Sequence, residues 1–401
     1  MNIAVIGTGN RGRGLIKNNL VLMDDVNIIG VCDIQQNNLD KCLEVIKGAN
    51  RPDPFATNDY NEIFSLKGLD AIIIATGWKM HTPLLVMAMQ KGIPAATEVY
   101  GAYNEAECWE IIDNYEKTKT PVMMLENCCY GRDELMILNM VRSGVLGTIV
   151  HCEGGYRHDL RDEVGFAKER GHYRLDDYIE RNCENYPTHE LGPIANILNI
   201  GHGNRMTRLT SFTTKSAGLK EFYKMRRGDD CEYLNLDIKQ GDVVTTVIEC
   251  AGGQTITIAL DTTLPRYYSR RFGVHGTKGM FTEDNGSLFL DCEKYDPKVE
   301  FHWKPMWGNV ENYRDKYDHP IWKKYLGEGI KKGHGGIDWL VLRGFIDALK
   351  EGKALPLDPY DFTAWMSVTY ASEQSIKNGS VPVELTDFTK GKWKTRAPLE
   401  L

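Results

Sequence analysis

Several common features are absent from this sequence of 401 residues, and each absence removes a class of protein. No apolar run reaches the roughly 18 residues that a membrane-spanning helix needs, so we expect no membrane partner. There is no block of Lys and Arg, and the net charge is −7, which argues against nucleic-acid binding. The chain opens on a strand pattern and not on a leader peptide, so we expect it to act in the cytoplasm.

Motifs for metal binding and for a nucleophilic serine are also missing. The chain has ten cysteines, but no two form a C-x-x-C pair and no regular Cys/His ligand spacing occurs. We therefore expect no metal centre and interpret the cysteines as buried apolar residues in a reducing compartment. Neither H-E-x-x-H nor G-x-S-x-G occurs, so zinc-protease and serine-hydrolase chemistry have no support.

The most informative feature that is present lies at the start of the chain. The apolar run Asn2–Ile6 leads into Gly7-Thr8-Gly9-Asn10-Arg11-Gly12, and a second apolar run ends at Asp33. This is the dinucleotide-binding fingerprint, whose glycines make a tight turn, let backbone approach a pyrophosphate and pack helix on strand. An acid at position 33 accepts the ribose 2′-OH and repels a 2′-phosphate, which favours NAD(H) over NADP(H). The alternative is an ordinary glycine-rich turn.

The order of predicted elements divides the chain into two domains. Up to residue 125 strands and helices alternate, which is typical of a doubly wound α/β Rossmann sheet. Over residues 126–401 the pattern changes to sequential strands with Gly-rich turns and two closing helices. We therefore predict an NAD-binding domain over residues 1–125. For residues 126–401 we predict an α+β domain with a large, open, mostly antiparallel sheet, which binds substrate and supports oligomerisation.

The first site candidates are residues that end predicted strands, because ligands of a doubly wound sheet bind beyond the carboxyl ends of its strands. Thr76, Glu98 and Glu126 are such residues. In the two-domain dehydrogenases of glucose, fructose and inositol, a lysine that assists proton transfer follows the second of these positions. Val99 replaces it here, which removes a principal acid/base group for simple alcohol oxidation.

A second set of candidates consists of aromatic, histidine and arginine residues in the second domain. Tyr186 precedes His189 by three residues, and the histidine opens a helix after a proline turn. A Tyr/His pair suits proton abstraction next to a carbonyl. The further candidates are Tyr156, His158, Arg174, Tyr268 and Arg270. For each of them the alternative is a hydrogen-bonded core residue or an ordinary ion pair.

Together, several segments resemble the NAD-dependent glycoside hydrolases of family 109. They are Glu98-Val99, Glu126-Asn127-Cys128-Cys129-Tyr130-Gly131-Arg132, Gly154-Gly155-Tyr156 with His158-Asp159-Leu160-Arg161, Tyr186-Pro187-Thr188-His189 and Tyr268-Ser269-Arg270. The resemblance covers most of the chain, from the fingerprint to Gly333-His334-Gly335-Gly336. It implies the two-domain fold of the glucose–fructose oxidoreductase-like superfamily. It also implies α-N-acetylgalactosaminidase-like activity on a small glycoside.

The resemblance further implies a redox-assisted mechanism. Tightly bound NAD⁺ oxidises the sugar at C3, the resulting ketone acidifies the C2 proton, and removal of that proton expels the C1 aglycone. Water then adds at C1, C2 is reprotonated and the hydride returns to C3, so the cofactor ends as it began. Such an enzyme needs no lysine at position 99 for net alcohol oxidation.

From the resemblance we predict a role for each candidate. The expected catalytic residues are Tyr186, His189, Tyr268 and His158, of which the first two handle protons at C2 and C3. The expected substrate-binding residues are Arg174, Tyr156 and Tyr268. The expected cofactor-binding residues are Gly7, Gly9, Asn10, Arg11, Gly12, Asp33, Thr76, Trp78, His81, Glu98, Glu126, Asn127 and Tyr186.

Two positions depart from the family pattern and leave the accepted sugar open. Tyr100 stands where proline is expected, and Glu190 follows His189 where glycine is usual. Two other functions also stay open, an NAD-dependent sugar or polyol dehydrogenase and a non-catalytic protein that retains NAD and binds sugar. Because the open face of the second sheet often packs against a second copy in this fold, we expect a homo-oligomer.

Overall fold

The computed structural model describes residues 1–291, 304–330 and 333–399. In this described part, no helix combines the length and the apolar character needed to cross a bilayer. Cys292 lies outside it. Of the nine cysteines inside it, eight are buried and Cys231 is half-buried, which agrees with their interpretation as core residues.

The described residues divide into two compact units. The first consists mainly of Met1–Tyr130 and Tyr325–Thr363, and the second of Gly131–Lys324 and Ala364–Pro398. A segment from late in the chain therefore belongs to the first compact unit. How the two predicted domains divide cofactor binding and substrate binding stays a prediction.

Six described strands of the first unit form a parallel sheet in the order β3-β2-β1-β4-β5-β6. They are β1 (Asn2–Ile6), β2 (Asn27–Cys32), β3 (Phe55–Thr57), β4 (Ala71–Ile74), β5 (Ala95–Thr97) and β6 (Val122–Met124). This is the strand order of Rossmann sheets, with the topological switch point between β1 and β4. Ile6 at the end of β1 pairs with Cys32 and with Ile74, so three carboxyl ends meet at one edge.

The helices in the first part of the chain follow the strands in alternation. They are α1 (Asn10–Asn18), α2 (Gln36–Gly48), α3 (Tyr60–Ile63), α4 (His81–Gln90) and α5 (Glu105–Thr118). The start of α5 shows why the sequence forms a helix there. The Asn104 side chain accepts a hydrogen bond from the backbone N–H of Glu107 (3.0 Å), and the Glu107 carboxylate accepts one from the backbone N–H of Tyr103 (2.9 Å). This is a capping-box arrangement whose return bond falls one residue before the cap.

Eight described strands of the second unit form a sheet in the order β13-β12-β11-β7-β10-β9-β8-β14. They are β7 (Ile149–Arg157), β8 (Met206–Thr213), β9 (Val243–Cys250), β10 (Thr255–Asp261), β11 (Gly273–Gly276), β12 (Gly279–Thr282), β13 (Ser287–Leu290) and β14 (Val383–Glu384). Within this described sheet β7 and β10 run parallel and the other neighbours run antiparallel. The predicted large, mostly antiparallel sheet is confirmed.

The remaining helices complete the two units. They are α6 (Arg132–Arg142), α7 (Arg161–Gly165), α8 (Ala167–Arg170), α9 (Arg174–Glu180), α10 (Thr188–Leu198), α11 (Gly218–Arg227), α12 (Arg314–Tyr317), α13 (Pro320–Glu328), α14 (Ile337–Glu351) and α15 (Pro359–Lys377). Helix α10 lies against β7. This contact brings the start of the predicted Tyr/His helix to the strand that carries Tyr156.

Candidate functional site

The fingerprint turn of the first unit is held by two glycines that the fold itself requires. Gly7 has φ of +93°, and a Cβ atom there would lie 2.4 Å from the carbonyl oxygen of Ala75. A Cβ atom at Gly12 would lie 1.9 Å from the carbonyl oxygen of Gly7. The turn, the end of β4 and the first turn of α1 therefore pack too closely for any side chain at these two positions.

The middle glycine of the fingerprint has a different environment. A Cβ atom at Gly9 would meet only the side-chain nitrogen of Asn38, at 3.9 Å, and φ at this residue is an ordinary −58°. Packing within the protein therefore does not demand glycine here. The open space lies beside the first turn of α1, where backbone N–H groups bind anions. These features fit a dinucleotide pyrophosphate.

The acidic residue at the end of β2 is also in place for a ribose. Asp33 is buried, and its Oδ2 accepts a hydrogen bond from the backbone N–H of Thr8 in the glycine turn (2.8 Å). Its Oδ1 accepts bonds from the backbone N–H of Gln35 (2.9 Å) and the side chain of Asn38 (3.3 Å). The Thr8 hydroxyl also donates to Oδ2 (3.3 Å), so the protein's own donors orient the Asp33 carboxylate. A ribose hydroxyl bound there shares these oxygens with the two long bonds from the side chains of Thr8 and Asn38.

Arg11 is part of an ion-pair network within the first unit. Its Nε donates to Oε1 of Glu98 (2.8 Å), and its two terminal nitrogens donate to both oxygens of Asp338 (2.8 and 2.9 Å). Asp338 also accepts from the Asn127 amide (2.7 Å) and lies 2.7 Å from Nδ1 of His334. Burial opposes ionisation of Asp338, but hydrogen bonds from His334 and Arg11 outweigh it and hold its pKa well below the usual range.

Three residues of this network, Arg11, Glu98 and Asn127, were predicted to bind the cofactor, and the structure shows that they also connect elements of the first unit. Through Arg11, Glu98 and Asn127 it ties the fingerprint helix to the ends of β5 and β6 and to α14. Direct contact of these three side chains with the cofactor stays a prediction. Sequence reasoning missed Asp338 as a site residue. The signal that pointed to it was the Gly-His-Gly-Gly turn that ends two residues before it.

His81 fastens two strand ends of the same edge together. Its ring nitrogens lie 3.0 Å from the carbonyl oxygen of Glu98 and 3.0 Å from that of Thr76. Burial lowers the pKa of His81 to about 4, so the imidazole is neutral at ordinary pH and one nitrogen donates at a time. Trp78 and Glu126 are buried near these strand ends. Their contact with the cofactor stays a prediction.

An aromatic cluster in the second unit unites the predicted proton-transfer residues. The ring of Tyr156 lies 4.5 Å from that of Tyr186 and 5.4 Å from that of His189, measured between centroids. The Tyr186 and His189 rings are 4.8 Å apart. Tyr156 comes from β7 and His189 from the first turn of α10, so the strand and the helix that contact each other build the cluster.

His158 and Tyr268 extend this cluster towards solvent. The Tyr156 hydroxyl lies 2.9 Å from Nδ1 of His158, and the His158 and Tyr268 rings are 5.0 Å apart. Burial raises the pKa of Tyr156 to about 12 and lowers that of His158, so the two form a neutral hydrogen-bonded pair. Tyr268 is 48% exposed, so a ligand can reach the cluster from its side.

Arg174 supplies a buried positive charge to the aromatic cluster. Its guanidinium carbon lies 5.0 Å from the centre of the Tyr186 ring, and its Nε is 3.7 Å from a carboxylate oxygen of Glu163. Burial raises the pKa values of Tyr156 and Tyr173, and the arginine works against this rise. The arginine therefore stabilises negative charge on neighbouring phenol oxygens, as proton transfer from a tyrosine requires.

The structure thus brings into one cluster the six residues of the second unit that were given a role, whereas the seventh candidate, Arg270, forms ion pairs with carboxylates. The six are Tyr156, His158, Arg174, Tyr186, His189 and Tyr268. The arrangement offers phenols, imidazoles and one buried cation, which are groups suited to moving a proton at a carbon next to a carbonyl. The individual roles, including contact of Tyr186 with the cofactor, stay predictions.

Family models match both parts of the chain. Residues 1–124 match the model described as oxidoreductase family, NAD-binding Rossmann fold. Residues 130–395 match the model described as glycosyl hydrolase 109, C-terminal domain. One chain therefore matches both an NAD-binding family model and a glycosyl hydrolase family model.

Curated relatives are similar over the whole length. A glycosyl hydrolase family 109 protein of Stenotrophomonas maltophilia is 37% identical, over 100% of this chain and 91% of that protein. An alpha-N-acetylgalactosaminidase of Tannerella forsythia is 36% identical, over 99% of this chain and 88% of that protein.

Solved structures confirm the fold. Myo-inositol 2-dehydrogenase of Lactobacillus plantarum gives a TM-score of 0.67 at 13% identity, covering 96% of this chain and 99% of that one. An oxidoreductase of Agrobacterium radiobacter in complex with NAD⁺, L-tartaric acid and magnesium gives a TM-score of 0.65 at 17% identity, covering 96% and 98%. At such low sequence identity these structural similarities show the fold alone.

Proposed function

The chain belongs to glycosyl hydrolase family 109 and is an NAD-dependent glycosidase, and on this premise we propose that it cleaves α-N-acetylgalactosaminides or closely related glycosides by redox-assisted elimination and addition. The observation that carries this proposal is the joint presence of an NAD-binding fingerprint and a buried Tyr/His/Arg cluster. The first serves redox chemistry and the second serves proton transfer. The name of the Tannerella forsythia relative supports the choice of sugar.

The first unit has the residues to hold the cofactor. The open side of Gly9 and the start of α1 accept the pyrophosphate, and the oriented carboxylate of Asp33 accepts a ribose hydroxyl. When bound, NAD⁺ supplies a hydride acceptor for C3 of the sugar and a donor for its later return. Because the hydride must return to the same sugar, we expect the chain to keep its cofactor through many turnovers.

The second unit has the residues to move protons. We assign removal and return of the C2 proton, and the hydroxyl proton at C3, to Tyr186 and His189, whose rings are 4.8 Å apart. The positive charge of Arg174, beside the Tyr186 ring, favours the phenolate over the neutral phenol and so assists release of the tyrosine proton. Tyr268, half exposed at the rim of the cluster, is suited to hold the sugar or its leaving group, and Tyr156 and His158 form the neutral pair beneath it.

An oligomer is the assembly that the second sheet favours. Phe212 on β8 and Val247 on β9 are exposed and belong to the same face, because Phe212 pairs with Thr245 and Val247 lies two residues further along β9. An exposed sheet face with large apolar side chains is typical of an interface. Sedimentation of the purified protein tests this, and a monomer at micromolar concentration would contradict it.

We also keep the cytoplasm as the proposed place of action. The nine described cysteines are thiols and eight of them are buried, which supports a reducing compartment. Fractionation of the producing cells tests the proposal, and enrichment of the protein outside the cytoplasmic fraction would contradict it.

The decisive experiment tests whether a hydrogen from solvent is incorporated at C2 of the released sugar. Purified protein without added cofactor is incubated with p-nitrophenyl α-N-acetylgalactosaminide in D₂O, and nitrophenol, released sugar and NADH absorbance are measured. We expect nitrophenol release, one deuterium at C2 of the sugar and no net NADH. Release without deuterium at C2 would overturn the elimination mechanism. If NADH accumulates with turnover, the protein is instead a sugar or polyol dehydrogenase. If sugar binds without turnover, the protein is a non-catalytic protein that retains NAD.

Variants of the aromatic cluster test the assignment of roles. We expect Tyr186→Phe and His189→Gln to abolish turnover while the purified protein keeps its NAD. Tyr268→Phe should lower activity. Tyr267→Phe changes a neighbouring residue that is 72% exposed, so it is the matched control and should leave activity unchanged. Full activity of either the Tyr186 or the His189 variant would show that the assignment is wrong.

A further inference from the structure

One buried cation in the second unit is surrounded by carboxylates that the proposed chemistry does not use. Arg270 follows Tyr268 by two residues, and its side chain is only 13% exposed. Its guanidinium forms an ion pair with Glu134 and lies 3.5 Å from a carboxylate oxygen of Glu190 and 3.3 Å from one of Glu283. We call these four residues the Arg270 cluster.

The three carboxylates of the Arg270 cluster come from three separate elements. Glu134 lies on α6, Glu190 on α10, and Glu283 follows β12 directly. A single guanidinium therefore joins two helices and a hairpin to the segment between β10 and β11. Burial raises the pKa of Glu134 to about 7, and the charge of Arg270 works against this rise.

The segment that carries Tyr268 is also anchored through its backbone. The backbone N–H groups of Arg270 and Phe272 both donate to Oε2 of Glu283, at 3.0 and 3.1 Å. Ser269 exchanges two backbone hydrogen bonds with Arg157 at the end of β7, at 2.9 and 3.2 Å. Tyr268 itself is half exposed, so its position depends on how the residues just after it are held.

Glu190 is the member of the cluster that reaches the proton-transfer helix. It directly follows His189 in α10 and is 1% exposed. A Cβ atom at Gly154 of β7 would lie 2.7 Å from Cγ of Glu190, so the bare strand at that point makes room for this side chain. Glu190 therefore fills the space between α10 and β7 and extends from there to Arg270.

We propose that Glu190 is a positioning residue for the glycosidase reaction, because through Arg270 it fixes the Tyr268 segment against the helix that carries His189. The proposal rests on the proposed function. Tyr268 touches the rest of the cluster through ring contacts at 5.0 Å to His158 and 6.3 Å to Tyr156. Ring contacts of this kind do not fix one geometry, whereas the ion pairs of Arg270, two residues further along the chain, restrain the segment that carries the ring. A displacement of about 1 Å at a reacting group can cost about a hundredfold in rate.

The first test removes the charge of Glu190 and keeps its volume. Glu190→Gln leaves Arg270 with the two carboxylates of Glu134 and Glu283, so we expect the variant to fold and to retain NAD. We expect kcat to fall about tenfold to a hundredfold, with a much smaller change in the unfolding midpoint. Glu249→Gln, which removes a half-exposed carboxylate paired with Arg208 on the sheet, is the matched control and should keep the wild-type kcat.

A second pair of variants separates positioning from packing. Gly154→Ala alone should destabilise the protein, because its new methyl group meets Glu190. Adding Glu190→Gly removes that overlap and should recover the lost stability apart from about 1 kcal/mol, the cost of a glycine inside α10. If Glu190 positions Tyr268, the double variant regains stability but not kcat. Recovery of both would show that Glu190 only fills space, and would overturn the proposal.

A readout without substrate keeps this proposal separate from the function itself. Hydrogen exchange at the backbone N–H groups of Arg270 and Phe272 reports how firmly the segment is held, whichever glycoside the enzyme cleaves. We expect faster exchange there in Glu190→Gln and unchanged exchange in the control variant. If wild type fails to cleave the nitrophenyl glycoside, the proposed substrate is wrong, and this measurement still decides whether Glu190 holds the segment. Unchanged exchange, or an unchanged kcat in an active enzyme, would overturn the positioning role.

Discussion

Alanine substitutions at three glycines of one turn and helix separate the needs of the fold from those of the cofactor. The three positions are Gly9, Gly12 and Gly14, all within or next to α1. A Cβ atom would meet backbone at 1.9 Å at Gly12, a side-chain nitrogen at 3.9 Å at Gly9, and nothing within 4 Å at Gly14. The same chemical change therefore has three different physical consequences.

The expected stabilities without NAD follow from these contacts. Gly12→Ala forces α1 away from the turn and should lower the free energy of unfolding by about 1–3 kcal/mol. Gly14→Ala, inside the helix, should raise it by about 1 kcal/mol through better helix propensity. Gly9 is the N-cap residue of α1, where alanine caps less well but also restricts the unfolded chain. These effects oppose each other, so we expect a change within about 1 kcal/mol.

The expected effect on cofactor binding has a different order. A methyl group at Gly9 occupies the space that we assign to the pyrophosphate, so NAD⁺ affinity should fall about tenfold to a hundredfold, or about 1.4–2.7 kcal/mol. Gly14→Ala should leave the affinity unchanged. Urea unfolding of protein stripped of NAD, repeated with saturating NAD⁺, measures both quantities, because saturating ligand stabilises by an amount set by its dissociation constant.

The signature of a phosphate-binding turn is thus a Gly9→Ala protein that is stable without NAD but is poorly protected by it. If that variant loses as much stability as Gly12→Ala before NAD is added, Gly9 serves packing. If NAD⁺ protects it as well as it protects wild type, the pyrophosphate does not lie against this turn. Either result would refute the assignment of the cofactor to this part of the fingerprint.

Two further predictions concern buried carboxylates. Asp338→Asn should lower the free energy of unfolding by about 2–3 kcal/mol. The loss is smaller than for a fully buried pair, because the Arg11 side chain is 30% exposed. A change under about 0.5 kcal/mol in urea unfolding would contradict this prediction. Burial raises the pKa of Glu184 from 4.5 to about 8, although backbone N–H groups of Tyr186 and Leu260 favour its charged form. The folded state then holds a proton that the unfolded chain releases, so stability should fall between pH 4.5 and about 8, by up to about 1.4 kcal/mol per pH unit. Glu184→Gln should flatten this decline, and an identical pH dependence of unfolding in the variant would contradict the assignment.

Those parts of the fold that bury long apolar runs were predictable from the sequence. The prediction placed β1 at Asn2–Ile6, where the structure has it, because Ile3 to Ile6 are buried in the middle of a parallel sheet. β3, β12 and β14 were missed. They span three, four and two residues, too few to establish a period. Such short strands form because a neighbouring strand supplies their hydrogen bonds. The residue pattern within the short strand itself does not indicate this pairing.

The candidate site divides in the same way. Strand ends and helix starts pointed to Tyr156, Tyr186 and His189, since each lies where an element begins or ends. The partnership of Arg11 with Asp338 joins residues 327 positions apart, and nothing in the residues around either one indicates the other. The Arg270 cluster was equally hidden, because its carboxylates come from three elements that meet only after folding.

The arginine of the fingerprint shows what such hidden partnerships change. By position alone, Arg11 is expected to face the cofactor, and a guanidinium is a natural partner for a pyrophosphate. In the structure, that guanidinium forms ion pairs with Glu98 and with Asp338, and the second pair joins α1 to α14. We therefore expect the backbone N–H groups at the start of α1 to recognise the phosphates, which requires that Gly9 leaves them uncovered. On this expectation, the Arg11 ion pairs hold the turn in place and the Gly9→Ala variant reports whether the main chain beside it binds the cofactor.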